Sequence, residues 1–322
     1  MDPTQFFTAS RVVIVAGKGG VGKTTVTAAC ATSAARLGLR VLTVATDDTG
    51  ALARALNLQA VPHDDPRLTG EETFSPGEIV LHEFAPDETL EAYLHDHALK
   101  RLGNRMARTG MLDLVATATP GVSELLALGR FRQLADSSAD VVFIDAPAAG
   151  HAISMLRAPA TMAKMTTNGR LKDQADQALE FLGDDARCRV MLVALPETTP
   201  VNETIETAFA LEDEIGVALA PVIVNRMVAP TPPPVPTAVS IVGKGAPTVL
   251  SNAAAALDEA VAHLHFRGRW QAIEADRLAE GLPIPQIRFD ERTHIDPGSD
   301  RSNRLVDHLA ERLTASIERL KP

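Results

Sequence analysis

Short runs of apolar, mostly β-branched residues alternate along the chain with stretches of helical pattern. The runs are almost entirely apolar, as expected for parallel strands whose two faces are both covered by helices. The alternation therefore predicts an α/β fold with a doubly wound, mainly parallel sheet flanked by helices. The predicted strands are Val12–Ala16, Arg40–Ala45, Ile79–Phe84, Val141–Asp145, Val190–Leu195 and Pro221–Val224, with Ile284–Arg288 as a candidate seventh.

Two helical insertions interrupt this alternation, at about residues 86–137 and 152–184. Asp87 is a candidate N-cap for the first insertion. Five prolines among residues 230–236 exclude a helix interior and predict a stiff, exposed loop. From about residue 250 the pattern is helical again and ends in Asn303–Leu320. We therefore expect one domain over residues 1–322, with a short helical insertion subdomain.

The composition of the chain argues against some classes of binding partner. Aromatic residues make up only 4% of the chain, which argues against stacking platforms for single-stranded nucleic acid. The formal net charge of −10 argues against a broad surface for nucleic acid or anionic lipid. No nucleic-acid partner is expected.

The two cysteines, Cys30 and Cys188, stand far apart and outside any metal-ligand spacing. They fit two buried thiols in a reducing compartment better than a disulfide framework. The first residues show no basic region followed by an apolar stretch, and no run approaches the length of a membrane span. These observations predict a cytoplasmic protein without direct membrane insertion.

The strongest chemical signal is the stretch Gly17-Lys-Gly-Gly-Val-Gly22-Lys23-Thr24-Thr25. It satisfies the pattern of a phosphate-binding loop and has the required context, a strand before it and a helix after it. Backbone N–H groups of such a loop and the positive end of the helix dipole face the phosphates. We expect Lys23 on the β- and γ-phosphates and the Thr24 hydroxyl on Mg²⁺. The predicted nucleotide ligands are Gly17, Gly19, Gly20, Val21, Gly22, Lys23, Thr24 and Thr25.

Two acidic positions are candidates for the rest of the chemistry. Asp145 ends the fourth apolar run, so its carboxylate should emerge beside the loop and serve Mg²⁺. Asp47 follows the second strand and is a candidate to orient or deprotonate water, or to bind Mg²⁺ through water. The adjacent Asp48 leaves the assignment open, and capping of a helix over Thr49–Asn57 is an alternative role. An ordinary strand-ending carboxylate is the alternative for Asp145.

Lys18 together with Lys23 resembles the deviant Walker A loop of the ArsA/ParA/MinD ATPases. In that class the first lysine reaches across a dimer interface to the partner's nucleotide. Asp145-Ala-Pro-Ala-Ala-Gly150-His151 is similar to the second switch of the ArsA branch, although its middle residues differ. Asp47-Asp-Thr-Gly-Ala-Leu52 keeps the Asp and Leu of the first switch and lacks its Pro and His. The resemblance implies Asp47 as the hydrolytic acid, and Gly150 and His151 as switch residues.

Two further stretches extend the resemblance. Val222-Ile-Val-Asn225-Arg226 is similar to the strand from which an asparagine reads the adenine edge, with an Asn chosen for the turn as the alternative. The stretch from Pro196 to Thr204 resembles actinobacterial ArsA-like ATPases, which can occur as paired, unequal subunits. The cysteine set of the arsenite-responsive members and the zinc-bridging Cys-x-x-Cys pair of targeting members have no counterpart here.

The resemblance implies an ATP- and Mg²⁺-dependent ATPase that works as a homo- or heterodimer on a protein client or membrane partner. An apolar groove for a client helix is one interpretation of the insertions, and packing into the protein's own core is the other. The final helix carries acidic residues among its basic ones, which favours docking on the sheet over lipid binding. The groove candidates are Met106, Met111, Leu112, Leu114, Val122, Leu125, Leu126, Leu128, Met155, Met162 and Met165.

Two other functions stay open at this level. One is a nucleotide-gated interaction subunit with weak hydrolysis in an unequal pair, which the altered first switch favours. The other is a DNA-partition or division-positioning ATPase. The net charge of −10 and the Gly150-His151 pair argue against the second.

Overall fold

The computed structural model describes residues 1–46, 50–84, 121–147, 149–228, 248–291 and 301–320, without the side chains of 149 and 301–303. Its strands form one sheet in which every pair is parallel, in the order β3-β4-β2-β5-β1-β6-β8-β9, with β7 beside β6. The strands are β1 Val12–Ala16, β2 Val41–Ala45, β3 Ala60–Val61, β4 Ile79–Glu83, β5 Val141–Asp145, β6 Cys188–Ala194, β7 Ala218–Leu219, β8 Val222–Met227 and β9 Gln286–Asp290.

The predicted parallel sheet is confirmed, and β1 and β5 have the predicted bounds. The other five predicted strands, including the candidate seventh, are present with ends shifted by one to three residues. The two-residue strands β3 and β7 were not predicted, because so short a segment has no periodicity to detect.

The helices differ from the predicted helical stretches more than the strands differ from the predicted strands. The stretch 152–184 is two helices, separated near Gly169, which has φ +100°. Of the insertion 86–137, residues 86–120, which include Asp87, lie outside the described part, as does the proline-rich stretch 230–236. The helices are α1 Pro3–Thr8, α2 Lys23–Arg36, α3 Ala51–Leu56, α4 Pro66–Thr69, α5 Val122–Leu134, α6 Ala149–Met165, α7 Arg170–Gly183, α8 Thr198–Ala210, α9 Thr248–Gly281 and α10 Arg301–Arg319, with a π-helical turn at Leu211–Ile215.

The core lies on both faces of the sheet. Alternate residues of β1 point to opposite sides: Val12 and Ile14 join one apolar cluster, and Val13 and Val15 join the other. Side chains from α5 to α9 cover the first face, and side chains from α1, α2 and α10 cover the second. This two-sided burial is the physical reason why the strands read as continuous apolar runs.

The described groove candidates mostly belong to this core. Leu125, Leu126 and Leu128 of α5 are buried, and so are Met155 and Met162 of α6. Val122 packs partly buried against the same cluster. Met165 is 75% exposed, and Met106, Met111, Leu112 and Leu114 lie outside the described residues.

The last helix docks on the sheet, as predicted. Leu309, Leu313 and Ile317 of α10 are buried in the second cluster, and Leu305 and Leu320 pack against it. Within the described ranges, no helix combines the length and the apolar character that crossing a bilayer requires.

Both cysteines are free and fully buried, in clusters on opposite faces of the sheet. Burial raises the pKa of the Cys30 thiol to about 12 and raises that of Cys188 as well. The thiols are therefore protonated at neutral pH, and the sheet between them keeps them from forming a disulfide.

Candidate nucleotide-binding site

Two glycines of the loop, Gly17 and Gly22, have conformations and surroundings that exclude a side chain. A Cβ on Gly17 would lie 2.4 Å from the carbonyl oxygen of Val193 on β6, and φ there is +155°. A Cβ on Gly22 would lie 2.5 Å from Nδ2 of Asn225, and φ there is +96°. The loop is therefore held against the ends of β6 and β8, and these two glycines permit that close approach.

The loop leads directly into α2, whose N-cap is Gly22. Gly22 has no side chain that could accept from the N–H groups of the first turn. The dipole of a 14-residue helix adds partial positive charge at the same place. The predicted helix start near Gly22 is confirmed, and its geometry suits a bound phosphate group.

Thr24 and Asp145 are in contact, and we call the part of the loop around them its inner side. The Thr24 hydroxyl donates to Oδ2 of Asp145 at 2.6 Å, and Asp145 is only 5% exposed. The Thr27 hydroxyl, one turn along α2, shares its single hydrogen between the backbone oxygen of Lys23 at 3.0 Å and the other oxygen of Asp145 at 3.3 Å. Thr24 and Asp145 are thus neighbours, as predicted.

The end of β2 contacts the same carboxylate residue through its backbone. The Thr46 hydroxyl donates to the backbone oxygen of Asp145 at 2.6 Å. Asp47 and Asp48 follow Thr46 and lie outside the described residues. The helix after them begins at Ala51 with Gly50 as its N-cap, so its described start is two residues later than the expected Thr49.

Asn225 lies beneath the loop at the end of β8. Its Nδ2 donates to the backbone oxygen of Val21 at 2.8 Å, and its Oδ1 accepts from the N–H of Arg226 at 3.0 Å. The side chain is 6% exposed. Asn225 therefore ties β8 to the loop, a contact that the sequence did not indicate; its predicted role at adenine would use its remaining N–H and lone pair.

Arg226 follows at an irregularity in the pairing of β8 with β9 and has φ +57°, unusual for a residue with a side chain. Its side chain is exposed, and its backbone oxygen accepts from Gln271 of α9.

The two lysines of the loop have different environments. Nζ of Lys23 donates to the backbone oxygen of Lys18 at 3.4 Å, across the turn of the loop. Nζ of Lys18 pairs with Oε1 of Glu203 on α8 at 2.6 Å. Lys18 therefore lies in an exposed ion pair, and we call the part of the loop around this pair its outer side.

A cleft of about 490 Å³ opens beside this ion pair. Gly150, in the first turn of α6, lines the cleft together with Glu206 and Arg157. His151 is exposed next to Gly150. The predicted switch residues thus lie close to Lys18, whereas Asp145, at the other end of the same segment, lies under Thr24. Of the other predicted ligands, Val21 is buried, Thr25 is half-buried, and Gly19 and Gly20 are exposed.

Comparison with known proteins gives the family. A family model described as anion-transporting ATPase, ArsA type, matches residues 10–174, more than half of the 322 residues. The chain belongs to this ArsA-type family. The matched region includes the phosphate loop, Asp145 and the Gly150-His151 pair, so the resemblance inferred from these residues is confirmed at the level of the family.

The chain is also similar to individual proteins that are named as ATPases. ATPase BagA of Mycobacterium tuberculosis is 27% identical over 225 residues, which are 67% of this chain and 65% of the relative. ATPase get3 of Pyrenophora tritici-repentis is 30% identical over 213 residues, 64% of this chain and 59% of the relative. The arsenical pump-driving ATPase of Escherichia coli is 28% identical over 206 residues, 62% of this chain and 32% of the relative. The match spans less than two thirds of each of these proteins.

The oxygen donors of this ArsA-type site fit a magnesium ion. A threonine hydroxyl and a carboxylate are hard ligands, and Mg²⁺ commonly takes one or two protein oxygens together with phosphate oxygens and water. Among the described residues, no three His, Cys, Asp or Glu side chains form a metal cage. The arrangement of Thr24 and Asp145 suits an ion that arrives with a nucleotide.

Proposed function

We propose that this ArsA-type protein binds ATP with Mg²⁺ and hydrolyses it to ADP and phosphate. The observation that carries the proposal is the 2.6 Å hydrogen bond between Thr24 and the buried Asp145 beside the open N-terminus of α2. Phosphoryl transfer depends on positioning and on electrostatic stabilisation. The loop supplies backbone donors, Lys23 and the Thr24 hydroxyl, and Asp145 at the end of β5 supplies a second hard oxygen ligand.

The residues have separate roles in this proposal. The loop amides and Lys23 hold the phosphates, and Lys23 stabilises the negative charge that develops on them. Thr24 and Asp145 hold Mg²⁺, which would neutralise the phosphate oxygens. Thr27 keeps the Asp145 carboxylate oriented through its second oxygen. Asp47 positions the attacking water in the role that the resemblance implies.

Lys18 has a different task, in a second subunit. Lys18 is paired with Glu203 on α8, whereas Asp145 is in contact with Thr24, so Lys18 does not serve the inner side of its own loop in this conformation. We propose that two subunits, identical or homologous, face each other and that each Lys18 reaches the phosphates of the facing subunit. ATP would then close the pair, and hydrolysis would loosen it by reducing the charge that Lys18 meets.

The proposed output of this cycle is action on a protein client or membrane partner. The names of the relatives, which include an arsenical pump-driving ATPase, support an ATPase that drives another protein. The arsenical role itself is disfavoured for this chain, because Cys30 and Cys188 are buried on opposite faces of the sheet.

Substitution of Lys18 tests the proposal. Lys18→Ala should abolish turnover and leave nucleotide binding measurable, because Lys23 and the loop amides are intact. Steady-state phosphate release and equilibrium binding of a labelled ATP analogue measure the two properties. Wild-type turnover in this variant would refute the role of Lys18 in the second subunit, and lack of turnover in the wild-type protein, alone and with a co-purifying homologue, would favour a nucleotide-gated interaction subunit.

A further inference from the structure

The contact between Lys18 and Glu203 joins the phosphate loop to a separate helix. The ammonium nitrogen and the carboxylate oxygen are 2.6 Å apart, and the two side chains are 48% and 43% exposed. An ion pair this exposed is weak and exchanges readily, since both charges are well hydrated when they separate. The pair therefore sets a preferred position for Lys18 without locking it there.

Glu203 is presented from a fixed backbone. Val201 and Ala208 of α8 are completely buried in the core. The start of the helix is tied to α9, since the Thr198 hydroxyl donates to Glu274 at 2.9 Å, and Arg277 donates to Asn202 at 2.6 Å. The position of the carboxylate follows from this packing, whereas Lys18 has a long flexible stem in an exposed loop.

The surroundings of the pair allow Lys18 to leave. The cleft of about 490 Å³ lies beside it, and a Cβ at the adjacent Gly19 would meet nothing within 4 Å. Arg157, which also lines the cleft, is already paired with Glu214 at 2.8 Å. A triphosphate carries several negative charges and interacts with an ammonium group more strongly than one exposed carboxylate does.

We propose that Glu203 is a positioning residue for Lys18. It holds the lysine on its own subunit until the triphosphate of a second subunit competes for it. This inference rests on the proposed function of Lys18 and adds Glu203 as a group that competes with the triphosphate for the lysine. Closure of the pair of subunits then has to break two Lys18–Glu203 contacts, which raises the threshold for association and keeps nucleotide-free subunits apart.

The variant Glu203→Gln removes the charge of the competitor and keeps the shape of the side chain. Since an exposed pair affects an equilibrium about 1.4- to 5-fold, release of two pairs should lower the subunit concentration for half-maximal ATP-dependent association about 2- to 30-fold. The turnover number at saturating subunit and ATP should stay within about twofold, because Glu203 is not one of the residues proposed to hold the phosphates or Mg²⁺. Mass measurements across a concentration series, with and without a non-hydrolysable ATP analogue, give the first quantity.

Glu206→Gln is the matched control, since Glu206 lies on the same helix and lines the same cleft. It should leave the association midpoint at the wild-type value. Unchanged or weaker association of Glu203→Gln would overturn the positioning role. If wild-type protein associates with ATP and Lys18→Ala does not, while Glu203→Gln behaves as wild type, only this inference fails. If Lys18→Ala associates and turns over normally, the proposed function of Lys18 fails, and this inference with it.

Discussion

The two sides of the phosphate loop are built differently. On the inner side, Thr24 and Thr27 contact the two carboxylate oxygens of Asp145, a residue that is 5% exposed. On the outer side, Lys18 and Glu203 form an ion pair that is nearly half exposed. Buried hydrogen bonds to a charged group are costly to break, whereas an exposed ion pair is cheap to exchange.

This difference matches the two tasks that we propose. The inner side serves the subunit's own nucleotide and is preorganised, so little rearrangement is needed when Mg²⁺ and phosphate arrive. The outer side serves a second subunit, and a weak contact suits a lysine that must change partners in every cycle. Changes on the inner side should therefore have large effects on one subunit, and changes on the outer side should alter association.

The largest effect is expected for Asp145→Asn. The amide keeps the shape of the side chain but removes the negative charge that would hold Mg²⁺. Turnover should fall by about 10²- to 10³-fold, a loss typical for removal of a preorganised electrostatic group. Phosphate release at saturating Mg²⁺ and ATP measures it. A fall of less than about tenfold would mean that Asp145 is an ordinary strand-ending carboxylate.

Gly17→Ala tests whether the inner geometry depends on the loop backbone. The added methyl group would lie 2.4 Å from a carbonyl oxygen of β6, so the loop or the strand must move. We expect a loss of about 1–3 kcal/mol in the free energy of unfolding, together with weaker ATP binding. Denaturant unfolding and nucleotide titration measure the two effects.

Gly19→Ala is the control, because the corresponding Cβ meets nothing within 4 Å and the position lies on the outer side. Its stability should stay within about 0.5 kcal/mol of wild type. Equal losses in the two variants would contradict the contrast between a packed inner side and an open outer side.

A smaller effect is expected for Asn225→Ala. The change removes the donor to the backbone oxygen of Val21 and leaves that buried acceptor without its partner. The free energy of unfolding should fall by about 1–2 kcal/mol, and the apparent affinity for ATP should fall with it because the loop loses its tie to β8. If affinity falls while stability is unchanged, Asn225 acts on the nucleotide alone, as the resemblance to an adenine-reading asparagine implies.

Much of this account follows from the sequence because its signals are local. The loop pattern, the strand before it and the helix after it lie within 25 consecutive residues, and Asp145 is marked by the apolar run that it ends. Parallel strands then bring Asp145 to the loop, since β1 pairs with β5. Thr27 was within reach as well, because it lies one turn after Thr24 on the same helix.

The contacts that the sequence did not indicate are long-range. Glu203 is separated from Lys18 by 185 positions, and Asn225 is separated from Val21 by 204. Which residue of α8 faces the loop depends on the packing of α8 against α9 and β6, and no local pattern encodes it. For the same reason, periodicity alone did not show whether the methionines of the insertions line a groove or pack in the core. In the structure, Met155 and Met162 pack in the core.

The most direct test of the central claim mixes two inactive variants. Lys18→Ala keeps an intact inner side, and Asp145→Asn keeps an intact Lys18. In a mixed pair, Lys18 of the second variant faces the intact site of the first. Random pairing makes half of the pairs mixed, each with one complete site, so the mixture should recover about a quarter of wild-type turnover. Turnover no higher than the mean of the two separate variants would show that Lys18 acts within its own subunit and would contradict the account.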